Sequence, residues 1–283
     1  MSTSIVYESA RTKPQPVMET KTLWSFLALT FGLSWVPMTF FMLFADQLTP
    51  LIGEMSSTNP FFLLAVYAPG ISGMILIWHH YGLKGLGSFF RRLTLWRAPL
   101  QWWLFLLFGI PVLIYAAAAI KGTLNSPFPF ASWIMVFPAL VQSLLLGPLG
   151  EEFGWRGLAL PLLQRRFPPF WASILLGVVW AVWHAPAFAL SGTPQSAWSF
   201  GPFFLGLIAI TVILTPLFNA SRGSLLIAIL YHLNIMNPIF PDAQPWDSYL
   251  LALAAVIIVY LNRRQMFKRG SGLTEVLSAE EQE

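Results

Sequence analysis

SWIMVFPALVQSLLLGPLGEEFGWRGLALPLLQ, residues 132–164, is an apolar segment with two adjacent carboxylates, Glu151 and Glu152, and a guanidinium, Arg156, in its interior. Apolar sequence resumes at Leu158 and continues to Leu163 before Arg165 and Arg166 end it, so the charges lie at depth and not at a rim. An Asp, Lys or Arg at the centre of a membrane helix costs about 2.5–3.5 kcal/mol on insertion scales, and such groups pair with one another and face the bundle interior or water. A chain that keeps three of them in one apolar stretch marks that stretch as a functional site.

The surrounding composition identifies the solvent. The chain has 283 residues, 56% of them hydrophobic and only 10% charged, with 24 Phe, 13 Trp and a mean hydropathy of +0.65. Soluble domains carry about 25% charged residues, so most of this surface faces lipid. Cysteine is absent, which excludes disulfides, Cys-ligated zinc, iron–sulfur clusters and thiol nucleophiles. The net charge of +4 comes from short basic clusters between apolar runs, a pattern of membrane topology and not of nucleic-acid binding.

Eight apolar runs approach the roughly 20 residues that cross a bilayer: 23–45, 60–80, 100–120, 132–164, 171–190, 201–218, 224–240 and 248–262. They lack the two-residue alternation of a barrel, and backbone polar groups in lipid must be satisfied internally, so the expected fold is all-α, a polytopic transmembrane helical bundle. Residues 1–22, with Pro14 and Pro16, read as a disordered cytoplasmic tail, 23–262 as the membrane domain, and 263–283 as a second cytoplasmic tail. Fourteen Lys and Arg fall in the tails and alternate connections, against Lys121 alone in the others. The positive-inside rule therefore places both termini in the cytoplasm. Residues 83–97, which mix apolar and basic side chains in a stretch too short to span, fit an interfacial segment.

Glu152 and Arg156 are four apart and share a helix face, where they can pair. Glu151 points about 100° away and has no local partner, which suits it to general acid–base work. His184 and His232 lie within later runs. At 1.5 Å per residue, Glu151, His184 and His232 lie about 21, 20 and 12 Å from their cytoplasmic helix ends, so the three can meet inside the bundle. Such a set can activate water for peptide hydrolysis, hold zinc as a His₂Glu site, or relay protons in a transporter. His79 and His80, just before Tyr81-Gly82, read as interfacial, and Asn219 and Arg222 as a cytoplasmic turn.

Three ordered motifs resemble the CPBP family of CAAX proteases and bacteriocin-processing enzymes, whose pattern is Glu-Glu-x-x-x-Arg, aromatic-x-x-x-His and His-x-x-x-Asn on successive helices. Glu151, Glu152 and Arg156 meet the first. Trp180 and His184 meet the second, with Trp where Phe is usual. In the third, His232 fits but Met236 stands four residues on, and the nearby amides are Asn234 and Asn237. On an unbroken helix plus five lies about 140° from the His and plus two about 200°. Pro238 offers a local break that re-aims Asn237, the preferred candidate. The resemblance covers about 132–240. It implies an intramembrane glutamate-dependent endopeptidase in which Glu151 and His184 activate water, His232 and Asn237 polarise the scissile carbonyl, and Glu152, Arg156 and Trp180 are structural or orienting. It further implies a peptide or protein substrate, membrane-anchored ones included, and a multi-pass protein of a prokaryotic plasma membrane. No cofactor is required; zinc on Glu151, His184 and His232 is compatible. A non-hydrolytic immunity or scaffold protein and a proton-coupled transporter are the competing readings.

Overall fold

A computed structural model describes residues 18–277. The expected disorder of residues 1–17 and the end of the second tail, 278–283, lie outside the described residues. Among the described residues regular structure is entirely helical, as expected.

The helices are α1 (Thr22–Leu43), α2 (Ala45–Ile52), α3 (Pro60–Arg91), α4 (Leu100–Lys121), α5 (Trp133–Gln164), α6 (Pro169–Trp183), α7 (Phe200–Ala220), α8 (Leu225–Ile235), α9 (Trp246–Leu261) and the short α10 (Arg263–Met266). Among the described residues six helices are long and apolar enough to cross a bilayer: α1, α3, α4, α5, α6 with its 3₁₀ continuation to Ala189, and α7. The runs expected over 224–240 and 248–262 form shorter helices of 11 and 16 residues, α8 and α9. The α8 helix stops early because Pro238 supplies no N–H and disfavours helical geometry at Asn237. The second run does not end at Tyr81: α3 continues to Arg91 across a break at Gly82, where φ is 66°. Residues 83–91 of the expected interfacial segment are thus the redirected end of α3.

Two helices contain π turns, Phe105–Gly109 in α4 and Trp155–Ala159 in α5. The α5 helix is also interrupted at Gly147, and Pro148 restarts it, where a missing N–H costs nothing. Its restarted half packs on α3 at backbone distance. A Cβ on Gly150 would sit 2.6 Å from the Val66 carbonyl oxygen, and one on Gly154 would sit 2.3 Å from that of Pro69. Gly150-x-x-x-Gly154 is therefore a small-residue contact of the kind that joins helices in lipid, where apolar burial alone gives no drive to associate.

One end of the bundle is laced by polar side chains. Arg92, 1% exposed, donates from Nε to the Gly223 carbonyl (2.9 Å) and from Nη1 to those of Gly157 and Val276 (2.8 Å each). Gln164 and Asn219 exchange amide bonds of 2.8 and 3.0 Å, and Gln164 also donates to the Leu273 carbonyl (2.9 Å). Arg165 reaches the carbonyls of Thr274, at 2.8 Å, and Met18. Residues 263–277, expected as a tail, are thus a strap fastened across this end, with Val276 buried.

Candidate active site

Pro148 begins the half-helix that carries both glutamates, and the Gly150 and Gly154 contacts fix its depth against α3. Glu151 is 4% exposed, and its Oε2 accepts a 2.6 Å hydrogen bond from the indole Nε1 of Trp180 on α6. Glu152 is fully buried. Its Oε1 accepts from Arg156 Nη1 at 2.9 Å and from His232 Nδ1 at 2.8 Å. Arg156 in turn donates from Nη2 to Thr211 Oγ1 on α7 (3.2 Å), and its guanidinium carbon lies 4.3 Å from the centre of the Trp180 ring. The adjacent carboxylates therefore differ in duty: Glu152 bridges an arginine and a histidine, whereas Glu151 holds one indole N–H and faces open space.

His184 caps the C-terminal end of α6, and its Nδ1 lies 2.8 Å from the Trp180 carbonyl. A carbonyl only accepts, so Nδ1 carries the proton, and in the neutral ring Nε2 is left as an acceptor. The Nδ1 of His232 faces the Glu152 carboxylate and by the same logic donates, leaving Nε2 for substrate. Both imidazoles pack edge-on to the Trp180 ring, at 5.9 and 5.3 Å between centres.

Glu151, Trp180, His184, His232 and Asn237 share the wall of one cavity of about 480 Å³. Glu152 and Arg156 lie behind that wall. Asn234 is turned away, its Nδ2 donating to the Leu106 carbonyl in the π turn of α4 (2.5 Å). Asn237 lies past the end of α8, in a turn where its Oδ1 accepts from Ile239 N at 3.2 Å. The angular offset calculated for an unbroken helix does not apply to it. Met236 lines the same cavity. His79 is exposed and His80 bonds back to the Leu76 carbonyl, both away from this wall.

Thr211 escaped the sequence reading, although a hydroxyl in the middle of the apolar run that became α7 was the available signal. The indole N–H of Trp180 is invisible to that pattern too, because an aromatic-x-x-x-His spacing specifies a large ring and not a donor. Among the described residues no three His, Asp or Glu side chains gather closely enough to hold a metal ion. Glu151, His184 and His232 face one cavity without forming a zinc-sized ligand set.

Residues 131–236 match the family model described as type II CAAX prenyl endopeptidase Rce1-like. The chain is also 31% identical over 180 residues to a protein named CAAX prenyl protease 2 from Methanococcus maripaludis. That match takes in 58% of this chain and 66% of the relative, so the chain spans about two thirds of the length of the curated relative it matches.

Proposed function

The chain belongs, through residues 131–236, to the type II CAAX prenyl endopeptidase Rce1-like family, and on that premise we propose that it is an intramembrane endopeptidase in which Glu151 activates the attacking water. The observation that carries the reading is the unequal surroundings of the two glutamates. A buried carboxylate anchored by a single indole N–H, on a cavity wall shared with two imidazoles, suits proton transfer.

In the proposed reaction Glu151, assisted by His184 Nε2, takes a proton from water while the water oxygen bonds to the scissile carbonyl carbon. The carbonyl oxygen becomes an oxyanion, held by the Nε2–H of His232 as imidazolium and by the Asn237 side chain. The Glu152 carboxylate at 2.8 Å stabilises that imidazolium, as a buried acid does in a Ser-His-Asp triad. Collapse of the intermediate breaks the C–N bond, and the proton taken from water passes to the leaving amine. The substrate is a peptide segment able to enter a cavity whose wall is mostly apolar, and the protein acts as a multi-pass protein of a prokaryotic plasma membrane.

The test is a quenched-fluorescence peptide library on detergent-purified protein, comparing wild type, Glu151→Gln and His184→Ala with and without a chelator. Cleavage by wild type alone, unaffected by chelation, supports the reading. Cleavage that persists in Glu151→Gln contradicts it, and cleavage lost to the chelator moves His184 and His232 into ligand roles.

A further inference from the structure

The α4 helix ends beside the turn that carries Asn237, and its last residues hold that turn. Gly122 takes a left-handed φ of 85°, which a residue without Cβ adopts freely. Gly122 N and Thr123 N bond back to the carbonyls of Ala119 (3.2 Å) and Ala118 (2.9 Å). The helix end is thus closed by a Schellman turn, which fixes the directions in which Lys121 and Thr123 leave it. Both side chains reach the same residue. Lys121 Nζ lies 2.8 Å from a carboxylate oxygen of Asp242, and Thr123 Oγ1 donates to the Asp242 main-chain carbonyl at 2.5 Å. Nearly two turns back along α4, Tyr115 packs edge-on to Phe240, with 5.7 Å between ring centres.

What α4 grips is the segment that follows α8. The bonds this segment makes with itself are short-range: Asn237 Oδ1 accepts from Ile239 N (3.2 Å), the Asn237 carbonyl from Phe240 N (3.1 Å) and Asp242 Oδ1 from Gln244 N (3.2 Å). They shape the turn without deciding where it stands, and Pro238, Pro241 and Pro245 bring no N–H groups that could tie it to a neighbour. Yet Asn237, Phe240, Asp242 and Gln244 all line the cavity. With its Oδ1 engaged in the turn, Asn237 keeps its amide N–H groups for a substrate oxygen. One end of the turn is set by α8, which His232 fastens to Glu152, and the other is met by Lys121 and Thr123. Contacts of this kind are individually weak, but a misplacement of about 1 Å can cost about 10²-fold in rate. We propose that Lys121 and Thr123 are positioning residues: by holding Asp242 they seat the turn 237–244, and with it the Asn237 amide, on the cavity wall. The proposal rests on the peptidase reading for the role of Asn237, but not for what holds the turn. It also accounts for Lys121, alone among connections that otherwise carry no Lys or Arg.

The test compares full-length wild type in detergent with Lys121→Glu, Thr123→Val and the charge exchange Lys121→Glu/Asp242→Lys. Lys21→Met is the control, since its exposed ion pair with Glu19 (2.9 Å) does not line the cavity. Hydrogen exchange of the peptide spanning 237–244 is expected to quicken at least about threefold in Lys121→Glu and Thr123→Val, and in neither α6 nor α7, as for a local opening. On a cleaved peptide, kcat is expected to fall at least about tenfold in Lys121→Glu with KM within about twofold, and to recover in the charge exchange, as for a displaced catalytic group. The control should change neither readout. Unchanged exchange in the turn of both single variants overturns the proposal. So does an active wild type whose kcat is untouched by both substitutions, or whose loss in Lys121→Glu is not recovered by the charge exchange. Quicker exchange of the turn, in a protein whose wild type cleaves no peptide, defeats the peptidase reading and leaves the clamp standing.

Discussion

Glu151 and Glu152 are neighbours in sequence, yet the α-helix turns them to different partners, and their substitutions should fail differently. Glu151→Gln keeps the size of the side chain and its bond to Trp180, so cleavage is expected to vanish while the detergent melting curve stays within about 1 °C of wild type, as for a change that leaves packing intact. Glu152→Gln or Arg156→Leu leaves a charge buried without its counterpart, a loss of about 3–5 kcal/mol where such pairs have been broken. Both should reduce the yield of folded protein, read by size-exclusion chromatography, and equal mild effects at both glutamates would remove the division of roles. The two asparagines separate in the same way. Asn237→Ala should lower kcat by about 10²–10³, the usual cost of one oxyanion donor, whereas Asn234→Ala should cost about 1 kcal/mol of stability, a single hydrogen bond, and leave kcat near wild type. The charged residues were legible in the sequence because lipid makes each of them expensive. The donor role of Trp180 was not, because a pattern of residue classes treats indole and phenyl as one aromatic.

At the scale of elements, the catalytic half-helix is held by what it lacks. Gly150 and Gly154 let α5 meet α3 at backbone contact, and a larger side chain at either pushes first against the main-chain carbonyl of Val66 or Pro69. Gly154→Val is expected to lower the melting temperature and the activity together, while Gly87→Ala on α3, with open space around it, should change neither. A variant of Gly154 with wild-type stability and activity would show that the close approach is not needed. This contact was present in the sequence as a Gly-x-x-x-Gly spacing, but the two glutamates between the glycines drew the reading toward chemistry. The end of α8 shows the opposite limit. Pro238 signalled a break, yet only the three-dimensional turn shows that Asn237 lies beyond the helix, where angular spacing has no meaning. Gly82 likewise redirects α3 without ending it, since hydrogen bonding resumes on the far side of a single positive φ.

For the whole molecule, fold class was legible because hydropathy and the absence of charge leave a helical bundle as the arrangement that satisfies backbone groups in lipid. The strap was not legible, because residues 263–277 are polar enough to read as a tail and their order comes from carbonyls offered to Arg92, Gln164 and Arg165. Deletion of residues 270–283 is expected to lower the melting temperature by removing acceptors from those buried donors, with cleavage at low temperature largely retained; unchanged melting would show the strap to be incidental. The central chemical step is tested most directly by isotope transfer. A single turnover of the cleaved peptide in ¹⁸O-water, followed by mass spectrometry of product and protein, should place one ¹⁸O in the new carboxyl group of the product and none in the peptide that carries Glu151, with no product from Glu151→Gln. Transfer of ¹⁸O into Glu151 itself would reveal a covalent acyl intermediate and contradict direct attack by an activated water.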